Sequence, residues 1–230
     1  MATYCMADIH GCHEEFMALL EQIRFEPSLD ILYILGDAVD RGKKSVECLK
    51  FIMRGKNIRF LIGNHEQMMF DYFDKIDPFG WFANGGRSTL MQLGDLTGQE
   101  RAGVLDYLRS CPYYEKLELD GRRYFLSHAG LDVSLPLAYQ TNEAFVWSRE
   151  EFFEYRGLEG QTCIFGHTPT FFMHRDETNY GVWFDPVHKD KICIDSGCVY
   201  GGALAAIRLD DQAIFYEKKR ETVNDPPPKT

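Results

Sequence analysis

Short apolar runs rich in β-branched and aromatic residues recur along this chain, each stopped by glycine and polar residues. They predict strands at Thr3–Met6, Ile31–Leu35, Ile58–Ile62, Arg123–Ser127, Thr162–Phe165, Lys191–Ile194, Ala203–Leu209 and Ala213–Tyr216. Between the early runs the spacing becomes helical. In His13–Arg24, Phe16, Leu19, Leu20 and Ile23 fall on one face, and Ser45–Met53 repeats the pattern with Val46, Leu49 and Ile52 or Met53. Strand, helix and strand in alternation predict βαβ crossovers, hence a parallel or mixed sheet with helices packed on it. Residues 66–111 read as mostly helical, with a turn at Asn84-Gly85-Gly86, and form a cap or flank. Ile192–Glu217 returns to strand patterns, which predicts a second sheet stacked against the first. The expected fold is α/β (α+β): two mixed β-sheets packed as a central sandwich flanked by helices. A single domain is expected over residues 1–217, with a charged, proline-terminated tail, disordered, over 218–230.

The polar residues that end the strands carry the chemistry. The first runs into Asp8-Ile9-His10-Gly11, the second into Gly36-Asp37-Ala38-Val39-Asp40-Arg41-Gly42 and the third into Gly63-Asn64-His65-Glu66. Two later ones run into Ser127-His128-Ala129-Gly130 and Gly166-His167-Thr168-Pro169. In an open α/β sheet such ends converge on one crevice. Asp8 and His10, two apart on an extended strand end, can share one ion. Asp37 can bridge two ions, and Asn64, His128 and His167 add neutral donors. Carboxylate, imidazole and amide ligation suits intermediate metals such as manganese, iron or zinc, with no thiolate in the set to enforce zinc or an iron–sulfur cluster. Two divalent ions about 3.5–4 Å apart would stabilise the attacking and leaving oxygens of an in-line displacement.

Any one of these residues alone would be read as a turn cap or a satisfied core polar group. Together they are not, because charged groups at five converging strand ends are costly to bury without metal or counter-charge. Composition narrows the partners. A formal net charge of −10 repels polyanions, which excludes nucleic acid as the main partner and requires any phosphate site to supply its own positive charge. With no leader and no apolar run of about 18 residues, the sequence predicts a cytoplasmic protein with no membrane partner. The seven scattered cysteines, without a CxxC pair, read as reduced, mostly buried thiols. Cys5 and Cys12, flanking the first motif, offer a redox alternative. Glu14-Glu15 and Lys218-Lys219-Arg220 read as solvated charge, and the aromatic group Phe70, Tyr72, Phe73, Phe79, Trp81 and Phe82 as a satellite core or a substrate groove.

The five motifs, in this order between residues 4 and 168, resemble those of the calcineurin-like metallophosphoesterases, in particular the phosphoprotein phosphatase branch with the bacteriophage lambda and bacterial Ser/Thr phosphatases. The resemblance implies a first metal on Asp8, His10 and Asp37 and a second on Asp37, Asn64, His128 and His167. It implies direct attack by a metal-bridging hydroxide, with His65 as the general acid and Asp40 orienting it. Arg41 and Arg149 resemble the arginines that grip phosphate oxygens, and Asp195–Gly202 resembles the loop that reaches back over the site, with Tyr200 contacting substrate. Ala7, Ala38 and Lys43 depart from the family pattern. The first is a small-for-small change, and the other two are expected to alter the rim. The implied substrate is a phosphomonoester, first of all phosphoserine or phosphothreonine in a protein or peptide. Symmetrical cleavage of diadenosine tetraphosphate is the enzymatic alternative, and a silent phosphate-binding scaffold the non-enzymatic one.

Overall fold

The computed structural model describes residues 1–220. Ten strands make two five-stranded sheets, in the orders β10-β9-β1-β2-β3 and β4-β5-β6-β8-β7. The first sheet contains β1 (Thr3–Met6), β2 (Ile31–Leu35), β3 (Ile58–Leu61), β9 (Ala203–Arg208) and β10 (Ile214–Lys218), and the second β4 (Tyr114–Leu119), β5 (Arg122–Ser127), β6 (Thr162–Phe165), β7 (Trp183–Phe184) and β8 (Lys191–Cys193). Helices α1 (His13–Gln22) and α2 (Ser45–Arg54) connect the first three strands, which pair in parallel as the crossover pattern requires. The middle is helical: α3 (Asn64–Phe73), α4 (Gly80–Ala83), α5 (Arg87–Gly94) and α6 (Gly98–Ser110). Three short helices, α7 (Asn142–Trp147), α8 (Glu150–Glu154) and α9 (Thr170–His174), complete the α-helices of the described residues.

Both faces of β1 are buried, because the strand lies between two hydrophobic layers. Tyr4 and Met6 face the helical layer with Phe16, Leu19 and Leu49. Cys5 and Ala7 face the other way, against Leu126, Ile164, Ile192 and Ile194 of the second sheet. A third cluster, with Phe125, Phe145, Phe152 and Phe165, covers the far face of that sheet. The order is therefore helices, sheet, sheet, helices.

Three sequence expectations change. Residues 192–217 do not build the second sheet alone. β9 and β10 return to the first sheet and pair antiparallel beside β1, and β8 alone of that segment joins the second. β4 is an added edge strand, with Leu117 and Leu119 turned inward and Lys116 and Glu118 exposed, charges that discourage further pairing at an edge. The charge at the C-terminal end is also not simply solvated. Lys218 closes β10, Lys219 Nζ lies 3.1 Å from Glu15 Oε1, and Arg220 N donates to the same oxygen at 3.0 Å. Glu15, expected on the surface, is 1% exposed. The rest of the expected tail, 221–230, lies outside the described residues.

Candidate metal centre

Asp8, His10, Asp37, Asn64, His128 and His167 are all buried and meet past the carboxyl ends of β1, β2, β3, β5 and β6. The ends come from two packed sheets rather than one. Asp37 Oδ2 is the hub, 3.4 Å from His10 Nε2 and 3.5 Å from His128 Nε2. Two donors bound to one ion at about 2.1 Å stand roughly 3.0–3.4 Å apart for octahedral or tetrahedral angles, so these spacings suit shared cations. Asp8 accepts the backbone N–H of His167 at 3.0 Å through Oδ2, which ties the first sheet's motif to the second's.

Backbone carbonyls set the histidine tautomers. His10 Nδ1 donates to Val39 O and His128 Nδ1 to Leu35 O, both at 2.8 Å, so each ring turns its Nε2 lone pair into the centre. Burial keeps the rings neutral, and pulls His128 down to about 3. His128 Nε2 then faces Asn64 Oδ1 at 2.9 Å and His167 Nδ1 at 3.2 Å, with His167 Nδ1 also 3.1 Å from Asn64 Oδ1. With Asn64 turned this way, lone pairs face lone pairs, an arrangement that a cation between them converts from repulsive to attractive. The carboxylates point to the same need. Burial, then the charge of Asp195 and of Asp37 itself, pushes Asp8 well above the usual carboxylate range, and burial followed by Glu66 does the same to Asp37. Arg41 brings positive charge to this acidic pool, its Nη1 2.6 Å from His10 Nε2, where a metal's charge would also fall. The residues present fit a pair of divalent cations.

His65 lies beside the hub. Its Nδ1 is 2.7 Å from Asp40 Oδ2, and its Nε2, 3.9 Å from Asp37 Oδ2, is buried with no partner. Asp40 Oδ2 also accepts from Trp81 Nε1 at 2.7 Å. Burial lifts the Asp40 carboxyl to about 7, while Thr89, Trp81 and Arg41 pull it back toward the anion. The guanidinium of Arg41 stacks 5.3 Å from the ring centroid of Tyr200, which is 42% exposed. Arg149 stands further out on the rim, its Nη1 donating to Thr168 Oγ1 at 2.9 Å.

Backbone geometry makes the cluster possible. Asp8, His10, Asp37, Asp40, Arg41 and His167 all adopt positive φ, between 45° and 73°. Each such residue costs on the order of 1–3 kcal/mol and persists only where the surroundings over-determine it. Glu66 supplies much of that constraint. Its buried carboxylate accepts the backbone N–H groups of Asp37 (2.9 Å), Ala38 (3.0 Å), Val39 (3.4 Å) and Gly63 (3.0 Å), bracing the second and third motifs together. A Cβ on Gly63 would fall 2.2 Å from Asp37 Oδ1, and one on Gly166 would fall 2.0 Å from Asp8 Oδ2, so both approaches require glycine.

Two supporting residues escaped the sequence reading. Glu66 looked like part of a motif rather than its scaffold, and Trp81 like one aromatic among many. Trp81 in fact joins Tyr72, Phe73 and Phe82 in a packed cluster that presents its indole N–H to Asp40, whereas Phe79 is exposed. Ala38 is not on the rim, being fully buried under Glu66. Ala7 is not among the left-handed residues, so its small side chain meets no backbone demand for glycine.

A family model described as calcineurin-like phosphoesterase matches residues 1–201. The chain belongs to that family. As a calcineurin-like phosphoesterase it is a metal-dependent phosphatase, and the family depends on a dinuclear metal centre. Serine/threonine-protein phosphatase 1 of Salmonella typhimurium is 30% identical over 214 residues, covering 90% of this chain and 91% of that protein. A symmetrical bis(5'-nucleosyl)-tetraphosphatase of Chromobacterium violaceum is 27% identical over 280 residues, covering 94% of each. A crystal structure provisionally assigned as a diadenosine tetraphosphatase superposes with a TM-score of 0.70 at 21% identity, covering 96% of this chain and 94% of that one, and shows the shared fold. No helix among the described residues is long and apolar enough to cross a membrane.

Proposed function

We propose that this calcineurin-like phosphoesterase hydrolyses phosphomonoesters, with phosphoserine and phosphothreonine in proteins or peptides as its substrate class. The observation that carries the reading is the His65–Asp40 pair, set beside the Asp37 hub with His65 Nε2 bare. Asp8, His10 and Asp37 would hold one metal ion and Asp37, Asn64, His128 and His167 the other, manganese being the first choice. When bound, such a pair supplies Lewis acidity to the phosphoryl group and lowers the pKa of a bound water from 15.7 toward about 7. The chain's own groups do the rest. Arg41 and Arg149 bind phosphate oxygens with charge-assisted hydrogen bonds, replacing the attraction that a net charge of −10 denies the whole molecule. Asp40 and Trp81 fix the ring of His65, which acts as the imidazolium paired through Nδ1 with the Asp40 carboxylate and gives its Nε2 proton to the leaving alkoxide as the phosphorus–oxygen bond breaks, returning to the neutral ring, a contribution of about 10²–10⁴-fold.

Alignment length supports a protein substrate over a dinucleotide. The Salmonella enzyme aligns with 90% of this 230-residue chain over 214 positions, almost without interruption. The Chromobacterium tetraphosphatase needs 280 positions for 94%, so it carries long insertions that this chain lacks. The test is turnover of a phosphothreonine peptide, p-nitrophenyl phosphate and diadenosine tetraphosphate side by side with Mn²⁺. The peptide should be favoured, and preferential cleavage of the dinucleotide would reverse the assignment.

A further inference from the structure

Behind the first motif, on the helical side, lies a second group of metal-ligating side chains that the phosphatase reading does not use. The sulfurs of Cys12 and Cys198 and a carboxylate oxygen of Glu15 lie within 4.8 Å of one another. Their residues are 2%, 2% and 1% exposed. The Cys12 thiol donates to His10 O at 3.7 Å, with the Cys198 sulfur close beside it. Lys219 and the backbone N–H of Arg220 both donate to Glu15 Oε1, while Oε2 is buried with no partner. A buried carboxylate with one bare oxygen, facing two sulfurs, is an incomplete polar cluster.

We propose that Cys12, Glu15 and Cys198 form a site for one thiophilic divalent cation of the zinc class, distinct from the Asp/His centre. Donors at about 2.3 Å (sulfur) and 2.1 Å (oxygen) from a tetrahedral ion stand roughly 3.5–3.8 Å apart, within reach of the observed cluster. Loading breaks two S–H bonds, forms two metal–sulfur bonds and releases two protons to solvent, with no electron transfer. Charge then balances, since two thiolates and a carboxylate face a dication and the Lys219 ammonium. Three protein donors leave one tetrahedral position open. Sulfur donors favour zinc over manganese or magnesium, so the two sites would sort their metals by ligand type. The ion would tie together three segments that border the catalytic crevice. Cys12 follows His10 by two residues, Glu15 lies in the first turn of α1, and Cys198 opens the turn that carries Tyr200.

This inference stands independently of the substrate assignment. Its test is titration of the metal-free full-length chain with Co²⁺, following the near-ultraviolet sulfur-to-cobalt charge-transfer band, which ions on nitrogen and oxygen ligands do not produce. The wild type should develop the band to one thiolate-bound equivalent, Cys198→Ser should lose it, and Glu15→Gln should weaken binding at least about tenfold, the effect of losing a charged donor. No band in the wild type, or an unchanged band in Cys198→Ser, overturns the proposal. Should Cys198→Ser fail to fold, the wild type alone decides. Zinc must shield Cys12 and Cys198 from alkylation in a way that a chelator reverses, and equal labelling, or a Cys12–Cys198 disulfide found in place of metal, overturns the site.

Discussion

Lys191 and Asp37 are both buried charges, one at the amino end of β8 and the other past the carboxyl end of β2, and their surroundings are opposite in kind. Lys191 Nζ bonds Asp185 Oδ2 at 2.9 Å and Asp190 Oδ1 at 2.6 Å. The remaining oxygens of that triad accept backbone N–H groups from Val187, His188 and Gly157. Around Asp37, by contrast, Glu66 and Asp40 add negative charge, Arg41 is the positive group at hand, and His65 and His167 each keep a bare ring nitrogen. The triad is complete as it stands. The centre is complete only with cations, and this difference separates buried charge that serves the fold from buried charge that serves chemistry.

The comparison can be broken most severely at its hub. Asp37→Ala should abolish turnover and strip both ions, read by rate and elemental analysis, and a variant that keeps two metals per chain would remove Asp37 from the bridge. His65→Asn should lower turnover by about 10²–10⁴-fold while metal content stays near normal. An unchanged rate would exclude His65 as the acid. At the other pole, Lys191→Met should destabilise the fold by about 3–5 kcal/mol in urea unfolding, because the buried Asp185 and the half-buried Asp190 lose their partner. Activity per folded molecule and metal content should not move. Trp81→Phe sharpens the contrast with the smallest expected effect. Removing one donor from Asp40 should cost about 1–3 kcal/mol, seen as a lower rate with KM little changed. An equal loss in unfolding free energy with no loss of rate would make Trp81 a packing residue only.

The sequence announced much of this and hid the rest for physical reasons. β1 is buried on both faces and β2 is a continuous apolar run with one face fully buried, and the polar residues that follow them are conspicuous against that background. β4 alternates Glu and Lys with Leu and has no such run, and β7 has two residues. The return of β9 to pair with β1 joins residues some 200 positions apart, a choice that local periodicity does not encode. The site's ligand types were legible because five separate strands each run into Asp, Asn or His, a recurrence that the capping of single turns does not require. The cradle of Glu66, the indole on Asp40, the burial of Glu15 and the left-handed backbone at six site residues were not, since each depends on what tertiary packing brings alongside.

His128 donates to a carbonyl of β2, and the loop of His167 donates to Asp8. Under the proposed assignment, the groups that would hold the metals are therefore also the latch between the two halves of the sandwich. Ion loading and the seating of one half on the other would then be a single equilibrium, so a chain starved of metal would loosen along that seam first, and a ligand that wedges the seam open would disarm the enzyme without ever entering its crevice.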